Sequence, residues 1–275
     1  MTPFGGGEII GDAPDRRVEI LCEHDGLHAT WTRFGPGREG ASPHIHREHT
    51  DLFYVLAGEL TVRLGAEDRS AAAPAGTLVR VPPLVVHGFR NAGDAEVRYI
   101  NLHAPGRGFA DYMRGLRDKQ PVDFDQAHPP DPPADGLRPS TEAIVGADGA
   151  TAEADGMRRR LLAEVEAIGI AEVRGEPGAP AAAHVHAGHA ESLYVLEGEI
   201  ALAAGGREHR AGTGSWVQVP PGVAHAVAVP GPGAARFLEL HAPSGGFGAF
   251  VRALGGGADE AGAADQAGFD QRPGS

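Results

Sequence analysis

The sequence predicts an all-β protein made of two tandem barrels, each closed by a short helix. Two observations predict it. The 275-residue chain repeats itself at a spacing of about 140 residues, which marks an internal duplication. Within each copy, short runs of Val, Leu, Ile and aromatics alternate with Gly, Pro and Asp turns, the pattern of a sandwich or barrel.

The elements follow in chain order. RRVEILCEH (16–24) is rich in β-branched residues and reads as a strand. Its partner in the second copy, MRRRLLAEVEAI (157–168), is made of helix formers, yet the repeat outweighs local propensity and both are predicted strands. The alignment sets Arg16 and Arg17 against Arg158 and Arg159, and RFGPG (33–37) against RGEPG (174–178). HIHREHTDLFYVLAGE (44–59) then matches HVHAGHAESLYVLEGE (184–199). Gly58 and Gly198 allow tight turns before Glu59 and Glu199. Leu60, Val62 and Leu64 alternate with Thr61 and Arg63, as in a strand with one buried face. GTLVRVPPLVVHGF (76–89) matches GSWVQVPPGVAHAV (214–227), and YINLHAPGRGFADYMRGL (99–116) matches FLELHAPSGGFGAFVRAL (237–254). The apolar spacing of three and four after each HAP reads as the closing helix. Phe124, Asp125 and Gln126 recur as Phe269, Asp270 and Gln271. The boundaries expected are a first barrel over 1–126, an extended proline-rich linker over 127–143 and a second barrel over 144–275. In the tail the second FDQ is expected to dock and the residues after it to fray.

Composition excludes several roles. The net charge is −13 with Lys119 the only lysine, so neither nucleic acid nor an anionic membrane surface is an expected partner. No stretch approaches the roughly 20 apolar residues of a membrane helix, and the N-terminus lacks an export signal. The single cysteine, Cys22, forms no internal disulfide and is read as an inert buried strand residue. A soluble, cytoplasmic protein is expected.

The chemistry sits in the repeated histidines. Alternate strand residues share a face, so His44 and His46, and likewise His184 and His186, present two imidazoles side by side. A carboxylate follows five residues later, Asp51 or Glu191, and a third histidine, His87 or His225, lies beyond a Gly/Pro turn. Three imidazoles and one carboxylate suit a divalent transition metal, up to two per chain, with Fe, Mn, Ni, Co and Zn all compatible. Phe53, Val55, Val85 and Phe89 are expected to flank the first pocket, and Leu193, Val195, Val223 and Val227 the second. His49 and His189 are read as solvent-exposed loop residues. His103 and His241 either line the barrel mouth or cap a strand. Arg158, Arg159 and Arg160 are read as a solvated strand edge.

These motifs resemble those of the cupin superfamily, GX5HXHX3-4EX6G and GX5PXGX2HX3N. The second copy matches through Gly178, His184, His186, Glu191, Gly198, Gly214, Pro220, Gly222 and His225, departing at Val229. The first matches through His44, His46, Gly58, Gly76, Pro82, His87 and Asn91, with Asp51 for glutamate, Leu84 for glycine and Arg38 for the leading glycine. The resemblance implies two double-stranded β-helix (jelly-roll) barrels, a bicupin. It is most similar to quercetin 2,3-dioxygenase-type bacterial cupins, which implies an oxygenase acting with O2 on a small flavonol-like aromatic. Glu191, with Asp51 its counterpart, would then be ligand and base. The second copy keeps every family ligand and is expected to carry the chemistry. Another metal-dependent cupin enzyme, an isomerase or decarboxylase, stays open, as does a non-catalytic small-molecule or sugar-binding cupin. Oxalate chemistry is disfavoured because no arginine is expected near the pocket. The paired barrels imply a monomer with an internal pseudo-dimer, or a homodimer.

Overall fold

The computed structural model describes residues 6–65, 69–129, 144–145, 149–179 and 182–274. Two compact units are present, over Gly7–Gly146 and Ala147–Ser275. The strand Ile144–Val145 belongs to the first, where Ile144 pairs with Arg80. Most of the proline-rich segment over 127–143 lies outside the described residues.

In the first unit a seven-stranded sheet runs in the order Glu8–Ala13, Arg16–His24, Leu27–Phe34, Val97–Ala104, Thr50–Ala57, Leu78–Val81, Ile144–Val145. A three-stranded sheet is formed by Arg69–Pro74, Glu59–Leu64 and His87–Arg90. Strand alternation sends Phe53, Val55, Val79 and Val97 of the large sheet and Leu60 and Val62 of the small one into a single core. At roughly 1.5–3 kcal/mol for each fully buried aliphatic or aromatic side chain, this layer is a main source of stability. Helix α1 (Phe109–Asp118) lies on the other face of the large sheet, with Phe109, Ala110 and Met113 packed on Ile10, Val18 and Ile20.

The second unit repeats the plan. Its six-stranded sheet runs Thr151–Ala154, Met157–Val165, Ile168–Gly175, Ala235–Ala242, Ala190–Glu197, Trp216–Val219. Its five-stranded sheet runs Arg207–Gly212, Glu199–Ala204, His225–Ala228, His184–Val185, Arg272–Pro273. These are jelly-roll sheet pairs rather than closed barrels. MRRRLLAEV forms a strand, as the repeat required, because its register against Ile168–Gly175 buries Leu161 and Leu162.

Three expectations are corrected. Val18 pairs with Thr32 and Arg159 with Val173, so Arg159 stands in the place of Val18, and the arginine alignment was one residue out. A one-residue slip exchanges the faces of a strand. Arg159 is accordingly buried, ion-paired with Glu239 at 2.9 Å, and not part of a solvated edge. Finally, the tail does not fray after FDQ. Helix α2 (Phe247–Gly255) is followed by α3 (Glu260–Ala267), capped by Asp259, which accepts from the Gly262 amide, and ended by left-handed Gly268. Arg272 then pairs with Val185, and the Gly274 amide donates to the Ala183 carbonyl.

Candidate metal centres

Each HxH pair sits at the rim of the smaller sheet. His44 is bridged to His87, and His184 pairs with His225, so three of the four ligands converge through backbone register alone. The carboxylates arrive from the larger sheets, Asp51 opposite Val81 and His103, and Glu191 opposite Val219 and His241. A turn fixes the HxH backbone: the Leu84 amide donates to the His46 carbonyl, and the Gly222 amide to the His186 carbonyl. Both turn residues are left-handed, at φ 67° and 79°. Glycine takes this conformation without cost, and leucine does not.

The histidines are oriented by main-chain carbonyls. The Nδ1–H of His44 donates to Ser42, that of His46 to Asp125 and that of His87 to Val85. In the second unit the acceptors are Ala182, Asp270 and Val223. With Nδ1 committed as a donor, each Nε2 turns a lone pair inward, the tautomer a metal requires. The donor atoms of each set, His44, His46, Asp51 and His87, and His184, His186, Glu191 and His225, lie within 4.8 Å of one another, and all eight residues are buried. Ligands at about 2.0–2.2 Å from one ion stand roughly 3–4 Å apart. Here His44 and His46 Nε2 are 3.2 Å apart, and Glu191 Oε2 lies 3.6, 3.4 and 2.6 Å from Nε2 of His184, His186 and His225. The buried His186 Nε2 has no hydrogen-bond partner. Such crowding of inward lone pairs against a carboxylate, with one nitrogen orphaned, is relieved by a cation. Both clusters fit divalent metal sites.

Electrostatics agree. Burial would raise the Asp51 and Glu191 carboxyls, but the surrounding imidazoles outweigh it and hold both well below the ordinary range. Burial, reinforced by His87 and His46, pushes His44 down to about 3, leaving it neutral and ready to ligate. For His184 burial acts downward, yet hydrogen bonding and attraction to Glu191 prevail and its pKa is raised.

A second layer of histidines was missed in the sequence. His49 and His189 are buried, not exposed. His49 Nδ1 lies 3.0 Å from the Asp125 carboxylate, and its Nε2 is hydrogen-bonded with His103 Nδ1 at 2.9 Å. His189 and His241 are linked likewise at 3.0 Å. His103 and His241 are therefore interior residues beside the ligand carboxylates, each stacked near a helix phenylalanine, Phe109 or Phe247. Their signal was the exact recurrence of HxHxxH and HAP in both copies.

The surroundings of the two centres differ. A cavity of about 430 Å³ opens onto His44, His46, Asp51 and His103, with walls that include Phe34, Phe89 and Tyr99. Of the expected flanking residues Phe89 lines it, while Phe53, Val55 and Val85 belong to the core beneath. Leu193, Val195 and Val227 are likewise core, with Val223 packed against them. Arg16 and Arg38 also line the cavity, against the expectation of a pocket without arginine. In the second unit Arg159 replaces the cavity-lining Val18, and Glu239 replaces Asn101. The Arg159 guanidinium reaches Glu239 and, at 3.7 Å, Glu260 of α3.

Comparison with known proteins agrees with this geometry. The cupin domain model matches residues 30–103 and 171–241. No curated protein matches the chain. Solved structures with the same fold include an oxalate decarboxylase variant from Bacillus subtilis, 16% identical with TM-score 0.61, covering 88% of this chain and 76% of that one. The oxalate decarboxylase formate complex from Lactobacillus farciminis is 16% identical with TM-score 0.60, covering 88% and 85%. A glyoxylate-induced protein from Pseudomonas aeruginosa is 16% identical with TM-score 0.58, covering 84% and 82%. Likeness at this level establishes the fold.

Proposed function

Because the chain belongs to the cupin family and carries two copies of its domain, we propose that it is a metal-dependent enzyme whose substrate occupies the first unit's cavity, and that it is an oxygenase of a small, flavonol-like aromatic molecule. The observation that carries this reading is the aromatic-walled cavity of about 430 Å³ opening onto His44, His46 and Asp51. Its size and mixed lining are those of small-molecule sites. A divalent ion held by His44, His46, Asp51 and His87 would supply Lewis acidity and a meeting point for substrate and O2. The chain's own residues do the rest. Phe34, Phe89 and Tyr99 exclude water and stack against an aryl ring. Asp51, ionised and itself one of the four ligands, is placed to take a hydroxyl proton as general base, a role worth roughly 10²–10⁴-fold. Glu191, given the same role by resemblance, is assigned to ligation, since the buried Arg159–Glu239 ion pair stands beside it. The buried Cys22 accords with a cytoplasmic setting.

A decarboxylase acting on a small carboxylate is the second reading, favoured by Arg16 and Arg38 in the cavity wall and by the fold shared with oxalate decarboxylases. The test is an aerobic assay of a flavonol panel and of oxalate with the Fe, Mn, Ni and Co forms. O2 uptake with a flavonol, abolished in Asp51→Ala, supports the oxygenase. CO2 release from oxalate without O2 consumption moves the assignment to the decarboxylase, and neither activity sinks both.

A further inference from the structure

We infer that Arg16 anchors a carboxylate, and that the ligand of the first unit's cavity is a small aromatic carboxylate. This rests on the reading of that cavity as the substrate site and names the charge of its occupant.

The cavity's charged walls are nearly all accounted for. Arg38 is paired with Asp15 at 2.8 Å, and Glu39 is shared between Arg63 and Arg90 at 3.8 and 3.4 Å. Arg17, the neighbour of Arg16, is held by Asp12 and Glu19. Of the two arginines of this wall only Arg16 has no ion pair with any described residue, and the buried Nε of each has no hydrogen-bond partner. Its register position opposite Phe34 and its place in the cavity lining set it, half-buried, beside the aromatic walls. A guanidinium in such a place lacks the anion that its planar fork fits, and a carboxylate supplies two parallel acceptors.

The aromatic half of the ligand is read from the rings. Phe34 meets Tyr99 edge to face at 5.5 Å and stacks near Phe89 at 6.2 Å, leaving ring faces and edges for one more aryl group. The second unit argues the same way by contrast. There the matched residue is Met157, the Phe34 place is Gly175 and the Tyr99 place is Phe237. The second unit thus lacks the anchor and the Phe34 ring, and keeps of these walls only the aromatic Phe237.

The test uses the metal-loaded full chain and calorimetric binding of benzoate against its neutral isostere benzamide. Benzoate is expected to bind about tenfold or more tightly, the scale of a charge-assisted bidentate contact. Arg16→Met, the residue already tolerated at the matched position, is expected to bring the two within about twofold of each other. Arg16→Gln does the same with the polar stem kept, should the methionine variant fold poorly. Equal affinities in the parent chain, binding of neither probe, or a benzoate preference that survives both substitutions would overturn the anchor; the last would leave the carboxylate to the metal alone. Failure of the oxygenase reading is distinguishable. Absence of O2 uptake with the benzoate preference intact removes only that reading, while O2 uptake on a neutral aromatic with no benzoate preference removes only Arg16.

Discussion

A histidine offers a metal either of two nitrogens, and in both centres a backbone carbonyl makes the choice. The clustering of these residues was legible because HxH spacing, a carboxylate and a distant third histidine are sequence facts. The carbonyls of Ser42, Val85 and Asp125 were not, since any residue type provides one. For the same reason His49 was expected in solvent, although Asp125 and His103 hold this loop residue inside. Elemental analysis of the purified chain is expected to give two equivalents of divalent metal, falling to one in His44→Ala and to one in His184→Ala. Leu84 is a second residue-scale case. It holds the left-handed turn that Gly222 holds in the other unit. Left-handed backbone costs a leucine about 1–2 kcal/mol, partly offset by the entropy of glycine, so Leu84→Gly is expected to stabilise by roughly 0.5–1 kcal/mol. The midpoint of denaturant unfolding measures it, and a lower midpoint would mean that the half-buried leucine side chain outweighs the strain.

Among the elements, the short return segments after each helix do more than their length suggests. The Asp125 carboxylate accepts from the Arg47 and Glu48 amides at 2.9 and 2.7 Å while its carbonyl orients His46. Burial acts to raise its pKa, but those amides and His49 prevail and lower it. A depressed carboxylate contributes stability that is full above the ordinary value of about 3.9 and is lost as pH falls through the folded value. Relative to the intrinsic rate at each pH, exchange of the Arg47 and Glu48 amides is therefore expected to stay slow at neutral pH and to quicken at acid pH. Asp125→Asn should show the quick exchange already at neutral pH. The strand Met157–Val165 offers a sharper test. Arg159→Val strands Glu239 in the interior and is expected to cost about 3–5 kcal/mol. Arg159→Val with Glu239→Asn recreates the Val18 and Asn101 pair of the first unit and is expected to recover most of that loss by thermal unfolding. The strand itself was legible from the repeat, yet its facing was not, because period-two alternation punishes an alignment error of one residue. Helix α3 was missed because its alanine-rich stretch has no apolar stripe, and only Asp259 and Gly268 marked its ends.

At the scale of the molecule, duplication made the fold readable, and divergence between the copies hid which copy keeps room for a ligand. Ligand identity favoured the second centre, where glutamate is retained. The cavity favours the first, where Val18 and Asn101 line it and where the ion-paired Arg159 and Glu239 stand at the matched positions of the other unit. No ligand motif encodes that difference, since it lies in strand positions on neither metal site. The return segments also set an order on assembly. Ile45, between the first two ligands, pairs with Ala127, whereas His184 and Val185 pair with Pro273 and Arg272. A chain growing on the ribosome at about 5–20 residues per second therefore completes its first cage on the order of ten seconds before its second. In that interval the half-made polypeptide already presents His44, His46, Asp51 and His87 as a complete set, while the second set still waits for its last strand.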